Sequence, residues 1–206
     1  MKRCILFVLT FIAPGSLFAQ TANITEPEPI NSPVHKANIG KVVFLADTIS
    51  INQLKETDFL SSFEAKPPNN LYMRILMGNS LSNYQHPLNP ALSVADLNKG
   101  NFQFTFYVDG KQVYQENLNK GANLPATKNT KTIISVPLIS NRGEDSWGRS
   151  LWNRFMGRGG ENALTTGAHS LKIEARPYID IPVLKVGDLI AQGGLKFIVP
   201  RLMPKR

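Results

Sequence analysis

The chain has few of the residues that build disulfides and metal centres. Its one cysteine is Cys4, in the apolar segment at the start, so no disulfide can form within the chain. The three histidines, His35, His86 and His169, are too far apart in sequence to share one helix face or one strand as metal ligands. We therefore predict no metal and no cofactor, and a fold that depends on a hydrophobic core.

Common catalytic motifs are also missing. The sequence contains no Gly-x-Ser-x-Gly elbow, no Ser-x-x-Lys with its partner motifs and no phosphate-binding glycine loop. Acidic residues such as Glu144-Asp145 and Asp180 could still form a carboxylate pair, and scattered loop oxygens could bind calcium. No catalytic residue is predicted, and a non-enzymatic protein is favoured over an enzyme.

Residues 1–19 follow the three-part pattern of a secretory signal peptide. Met1-Lys2-Arg3 is positively charged, Cys4–Ala13 is apolar, and a Pro-Gly-Ser break precedes the small residue Ala19. The apolar run is too short for a bilayer core of about 30 Å, and no later segment is long enough. We expect cleavage after Ala19, export to the periplasm or the exterior of a bacterial cell, and a mature chain without a transmembrane segment.

The charge balance is basic, with a net charge of +8 to which Lys2 and Arg3 of the expected signal contribute. Such a balance allows a weak attraction to anionic surfaces such as lipopolysaccharide, lipid headgroups or acidic glycans. It equally serves solubility, which is the simpler interpretation. Nucleic acid is not an expected partner for an exported protein.

The expected mature chain divides into three parts. Residues 20–38 are polar and contain three prolines, which predicts a flexible N-terminal arm. Residues 39–200 form one domain, and residues 201–206 form a basic tail.

Apolar residues in the domain alternate with a period of two, which is typical of β-strands. The clearest strand contains Phe102, Phe104 and Phe106, and the following Asp109-Gly110 predicts a two-residue hairpin turn with Val113 opposite Phe106. A similar strand around 132–138 contains Pro137, which restricts it to an edge or a strand end. Glycine and proline pairs between the other apolar segments, including Gly193-Gly194, are interpreted as turns.

This pattern predicts an all-β fold, a single β-sandwich of six to eight strands. It resembles immunoglobulin and fibronectin domains in a loose architectural sense. That resemblance implies two packed sheets and assigns no function to any residue.

One short helix is predicted near 146–156. Asp145 or Ser146 can cap its first turn, and Gly157 can end it. Its apolar residues fall on one stripe: Trp147, Leu151, Trp152, Phe155 and Met156.

The helix carries the predicted binding residues. In the functional interpretation Trp147 and Trp152, with Arg149, Arg154 and Arg158, contact a partner, because tryptophan and arginine dominate binding hot spots. In the structural interpretation, which such a stripe favours, the helix plugs one end of the fold and both tryptophans belong to the core.

The function predicted is therefore an exported, non-enzymatic binding or accessory protein of the cell envelope or extracellular space. Its partner would be a protein or a glycan. A secreted hydrolase that acts on carbohydrate or peptidoglycan through a carboxylate pair is the main alternative. A calcium- or lipid-binding accessory protein is a third.

Overall fold

A computed structural model describes residues 23–97, 101–118, 130–140 and 147–201. Strand residues exceed helical ones, 39% against 23%, which confirms a mainly β protein. The expected signal peptide at 1–19 and residues 202–206 of the tail lie outside the described residues. No described helix is both long enough and apolar enough to cross a bilayer. The strands are β1 (Lys41–Leu45), β2 (Ser62–Glu64), β3 (Leu71–Leu76), β4 (Asn101–Val108), β5 (Lys111–Asn117), β6 (Ile133–Ile139), β7 (Gly167–Asp180), β8 (Leu184–Val186) and β9 (Ala191–Val199), and the helices are α1 (Pro33–Ala37), α2 (Leu81–Gln85), α3 (Val94–Leu97), α4 (Trp147–Phe155) and α5 (Glu161–Ala163).

All nine strands belong to one mixed sheet, in the order β5-β4-β7-β9-β1-β3-β6, with β2 beside β9 and β8 beside β7. The sheet curls into a half-barrel, so the two packed sheets of a sandwich are not confirmed. Among the described strands, β1 and β2 each pair with β9 in parallel, and the other pairings are antiparallel. Of the two placements predicted for Pro137, an edge strand or a strand end, the structure shows the first, because β6 is the last of the described strands in the sheet.

The backbones of β9 and β1 approach each other closely at Gly193. The Gly193-Gly194 pair, expected to form a turn, lies inside β9. A Cβ atom at Gly193 would come within 1.7 Å of the Val42 carbonyl oxygen on β1. These two strands share a single pairing, Lys41 with Gln192. Glycine is therefore required where the two backbones come closest.

The β4–β5 hairpin confirms the predicted turn and corrects its register. Asp109 and Gly110 have φ angles of 51° and 78°, as a two-residue turn of this type requires. A β-bulge at Val113 then shifts the pairing by one residue, so Tyr114 rather than Val113 lies opposite Phe106. The shift places the Tyr114 ring on the core face.

Helix α4 covers the concave face of the half-barrel. At one end Gly148 packs against β6, where an added Cβ would be 2.3 Å from a Val136 methyl group. At the other end the Phe155 ring stacks on Phe106 of β4 at 4.6 Å. The helix thus links β6, at one edge of the sheet, to β4, the strand next to the other edge. The buried apolar cluster to which the helix belongs also contains these large side chains: Phe102, Phe104, Leu138, Leu171, Ile173 and Phe197.

The N-terminal segment 23–38 makes hydrogen bonds to the domain. The Asn83 side chain accepts from the Ile24 and Thr25 amides and donates to the Thr25 carbonyl. Ser32 caps α1, and His35 is buried with its ring bonded to the Met77 carbonyl. Polar side chains from the domain, which sequence alone does not place, hold this proline-rich segment.

Candidate functional site

The two tryptophans of α4 contact the core. Trp152 is 7% exposed, and its ring lies 5.1 Å from Phe155 and 5.5 Å from Phe197. Trp147 is half-buried and stacks near Phe104 at 6.1 Å. Trp152 is therefore placed as in the structural interpretation and presents almost no surface to a partner. The expected N-cap residues of α4, Asp145 and Ser146, lie outside the described residues.

The three arginines differ in their surroundings. Arg149 and Arg158 are exposed, while the Arg154 Nε donates to the Glu116 carboxylate of β5 at 2.9 Å. That hydrogen bond raises the pKa of Arg154. Glu116 also accepts from the Tyr114 hydroxyl at 2.5 Å. Arg154 thus ties α4 to the sheet, while the exposed arginines are Arg149 on the helix and Arg158 in the segment after it.

The helix ends in a way that corrects the prediction for Gly157. Regular helical angles fail at Arg158 and Gly159, and Gly159 has the positive φ of 118°. Gly157 does not take a positive φ. Beyond the kink the chain turns past Val113 of β5 into α5.

A second surface, not predicted, lies on the β7–β8 hairpin and the turn after it. Large apolar side chains there are exposed to solvent: Val183 64%, Leu184 52%, Val186 38% and Leu189 37%. Ile39, at 47%, is elsewhere in the chain. We call these four residues the hairpin patch. Several large apolar side chains exposed within seven residues of a folded protein indicate a candidate interaction site.

The backbone of β8 adds to the character of the hairpin patch. β8 pairs with β7 along one edge, through Tyr178–Val186 and Asp180–Leu184, and with no other described strand. Leu184 and Val186 are two residues apart, so they project from one face of the strand. An edge strand with apolar side chains can accept a further strand from another chain.

The base of the hairpin is well anchored. The Tyr178 hydroxyl donates to the Leu118 carbonyl, and burial raises the pKa of Tyr178 to about 12. The Gln85 side chain donates to the Tyr178 carbonyl at 2.9 Å, and the Gly187 amide donates to the Pro177 carbonyl at 2.8 Å. The hairpin patch is therefore presented on a packed base.

His169 forms a corner with the β4–β5 turn. Its Nδ1 lies 2.8 Å from Asp109 Oδ2 and its Nε2 lies 2.9 Å from the Thr165 carbonyl oxygen. Because both partners are acceptors, the charged ring, with a proton on each nitrogen, satisfies both. The hydrogen bond to Asp109 raises the pKa of His169. Neither nitrogen is left to act as a general base.

A cleft of about 270 Å³ lies between the N-terminal segment and β6, with Glu28, His35 and Thr132 in its wall. His35 Nε2 is 2.9 Å from the Met77 carbonyl oxygen and donates to it. Burial lowers the pKa of His35, which favours the neutral ring. Glu28 is paired with Lys131 at 2.9 Å. The cleft is therefore lined by neutral polar side chains, including His35, and by a Glu28 carboxylate that is already paired with Lys131.

The buried carboxylate on the convex face, Glu174, is held by its neighbours. It accepts from Lys172 Nζ at 2.7 Å and from the Tyr107 hydroxyl at 3.2 Å. Burial opposes ionisation, but these hydrogen bonds outweigh it and lower the pKa of Glu174. Glu144-Asp145, considered for a carboxylate pair with Asp180, lie outside the described residues. Within the described ranges no three His, Cys, Asp or Glu side chains form a metal-binding group.

The fold and these surfaces define a mainly β protein with a curled sheet, a helix across its concave face and an exposed apolar edge strand. The chain matches no protein-family profile, and no curated protein is significantly similar to it in sequence.

Proposed function

We propose that this chain is an exported, non-enzymatic binding protein of the cell envelope or extracellular space, and that it docks a protein partner through the hairpin patch. The observation that carries the proposal is the concentration of exposed apolar side chains at 183–189, on the strand β8 and directly beside it. The expectation of export rests on the signal-like pattern at 1–19.

The chemistry of β8 favours an extended segment of the partner. Main-chain groups along the outer edge of β8 can pair with a strand, while Leu184 and Val186 provide apolar contacts on one face. Lys185 projects from the other face and donates to the Leu88 carbonyl at 2.9 Å. The partner in this proposal therefore supplies an extended, apolar segment.

The exposed arginines Arg149, on α4, and Arg158, in the segment that follows α4, are a second candidate contact. They would bind through charge, so their contribution should weaken as salt rises. Contact through the hairpin patch buries apolar area and should persist at high salt. This difference separates the two surfaces in one experiment.

The test uses the full chain, tagged and exported by its own signal, on envelope extract of the source organism. Wild type is compared with a Leu184→Ser/Val186→Ser variant, with Arg149→Ser/Arg158→Ser, and with Ile39→Ser as a control for an exposed apolar residue outside the hairpin patch. Bound proteins are crosslinked, washed at low and high salt, and quantified.

We expect one partner that survives high salt, is lost with the hairpin variant and is kept with Ile39→Ser. Retention of that partner by the hairpin variant would refute docking through the hairpin patch. Turnover of a glycan or peptidoglycan panel by the purified protein would instead support the hydrolase.

A further inference from the structure

Two buried polar side chains lie on the convex face of β3. Tyr72 is 2% exposed and Arg74 is 5% exposed. They are two residues apart on one strand, so they project from the same face, opposite to the core residue Met73. The segment after β1 covers them, and its apolar residues pack around the Tyr72 ring: Ile49, Ile51, Leu54 and Phe59.

The Arg74 guanidinium has only neutral partners. Its Nε donates to the Ser135 hydroxyl at 3.0 Å and its Nη2 donates to the Ile49 carbonyl at 2.6 Å. Its Nη1 is buried and has no acceptor. No ion pair in the described part of the chain includes Arg74. Burial also lowers the pKa of Arg74, because a charged guanidinium is unfavourable away from solvent.

The Tyr72 hydroxyl is also buried and has no hydrogen-bond partner among the residues that the structure describes. Two neighbouring side chains thus hold donors with no acceptor, and one of them carries a full positive charge. A neutral acceptor would satisfy the hydrogen bonds and leave the charge uncompensated. A buried cation is stabilised when a negative group accepts its remaining hydrogen bonds.

We infer that Tyr72 and Arg74 form a binding site for a small singly charged anion, a halide or a carboxylate, between β3 and the segment that follows β1. The anion accepts from Arg74 Nη1 and from the Tyr72 hydroxyl. Because neither atom is exposed to solvent, the anion must be small, and its entry requires movement of the segment that carries Ile49.

The experiment measures the melting temperature of the full chain at constant ionic strength in sodium gluconate, whose anion is too bulky for an enclosed site. Chloride and formate replace gluconate in separate titrations, which distinguishes a halide from a carboxylate. We expect a saturable rise in melting temperature with one or both anions, since a ligand that binds only the folded state stabilises it.

Two variants test the site. Tyr72→Phe should reduce the anion-dependent rise by at least half, although loss of an unpaired buried hydroxyl by itself is neutral or stabilising. Arg74→Met should abolish it. Ser135→Ala is the matched control, because it removes an Arg74 contact and leaves both proposed donors in place, so it should keep the anion dependence.

If Arg74→Met does not fold, the site is tested by comparing the anion-dependent rise in melting temperature of Tyr72→Phe with that of Ser135→Ala. An anion response of equal size in wild type and Tyr72→Phe would be a general salt effect and would overturn the site. The absence of any saturable response in wild type would do the same.

Discussion

Replacing Gly193 with alanine adds one methyl group at the closest approach of β9 to β1. The new Cβ would lie 1.7 Å from the Val42 carbonyl oxygen and 2.7 Å from its carbonyl carbon. Both are backbone atoms, so no side-chain rotation relieves the contact. The two strands must separate by more than about 1 Å, or β9 must twist out of its pairing with β7.

The magnitude follows from the cost of overpacking. One extra methylene in a well-packed interior costs about 1–3 kcal/mol, and a forced backbone shift belongs at the upper end or above. Alanine also restricts the unfolded chain, which offsets about 0.4–1 kcal/mol. We expect a net loss of about 2–3 kcal/mol in the free energy of unfolding. For a chain of this size that lowers the melting temperature by about 4–12 °C.

Gly157→Ala is the matched control. No atom lies within 4 Å of a Cβ at Gly157, and its φ is not positive, so this substitution should be neutral or slightly stabilising. Both variants are measured by urea unfolding and by thermal melting followed by circular dichroism. A Gly193→Ala protein that unfolds within about 0.5 kcal/mol of the control would refute the close approach of β1 and β9.

Three further predictions concern single side chains. Trp152→Ala should destabilise the protein by about 3–5 kcal/mol in urea, because it empties a core position; a loss under about 1 kcal/mol would contradict that placement. Burial lowers the pKa of His35, so the unfolded chain binds a proton at this histidine more readily than the folded protein does. The wild type should therefore lose stability as the pH falls below about 6.5, and His35→Gln should lose less. The pKa of His169 is raised, so its contribution has the opposite sign: it is fully present below about pH 6.5 and lost as pH rises through the folded value. The difference in melting temperature between wild type and His169→Gln should therefore shrink from pH 5.5 to pH 8, and a difference that grows would contradict the charged corner.

Much of the local structure was predictable because it depends on neighbours in the chain. The alternation of Phe102, Phe104 and Phe106 predicts a strand with a core face, and Asp109-Gly110 predicts the turn that follows. The apolar stripe of α4 predicts the helix itself, but it leaves open whether Trp147 and Trp152 belong to the core or to a binding surface. Pro137 predicts an edge strand since it cannot donate a ladder hydrogen bond.

The candidate surface was not predictable in the same way. Val183, Leu184 and Val186 are as apolar as core residues, and their exposure depends on β8 pairing with β7 alone. Likewise the charge on Arg74 is isolated only because the segment carrying Ile49 folds over it. Exposure and burial are properties of what packs on a residue, which local pattern does not contain.

The sequence by itself determined that this is a mainly β chain with an amphipathic helix near 147–155, because periodicity and turn chemistry act over a few residues. It did not predict the short helices α1, α2, α3 and α5. The tertiary structure alone decided that the strands form one curled sheet instead of two. That choice depends on contacts between distant segments, above all the approach of Gly193 to Val42 and the span of α4 from β6 to β4. From the sequence, the Gly193-Gly194 pair is interpreted as a turn. The structure shows that the absence of a side chain at Gly193 lets β1 approach β9.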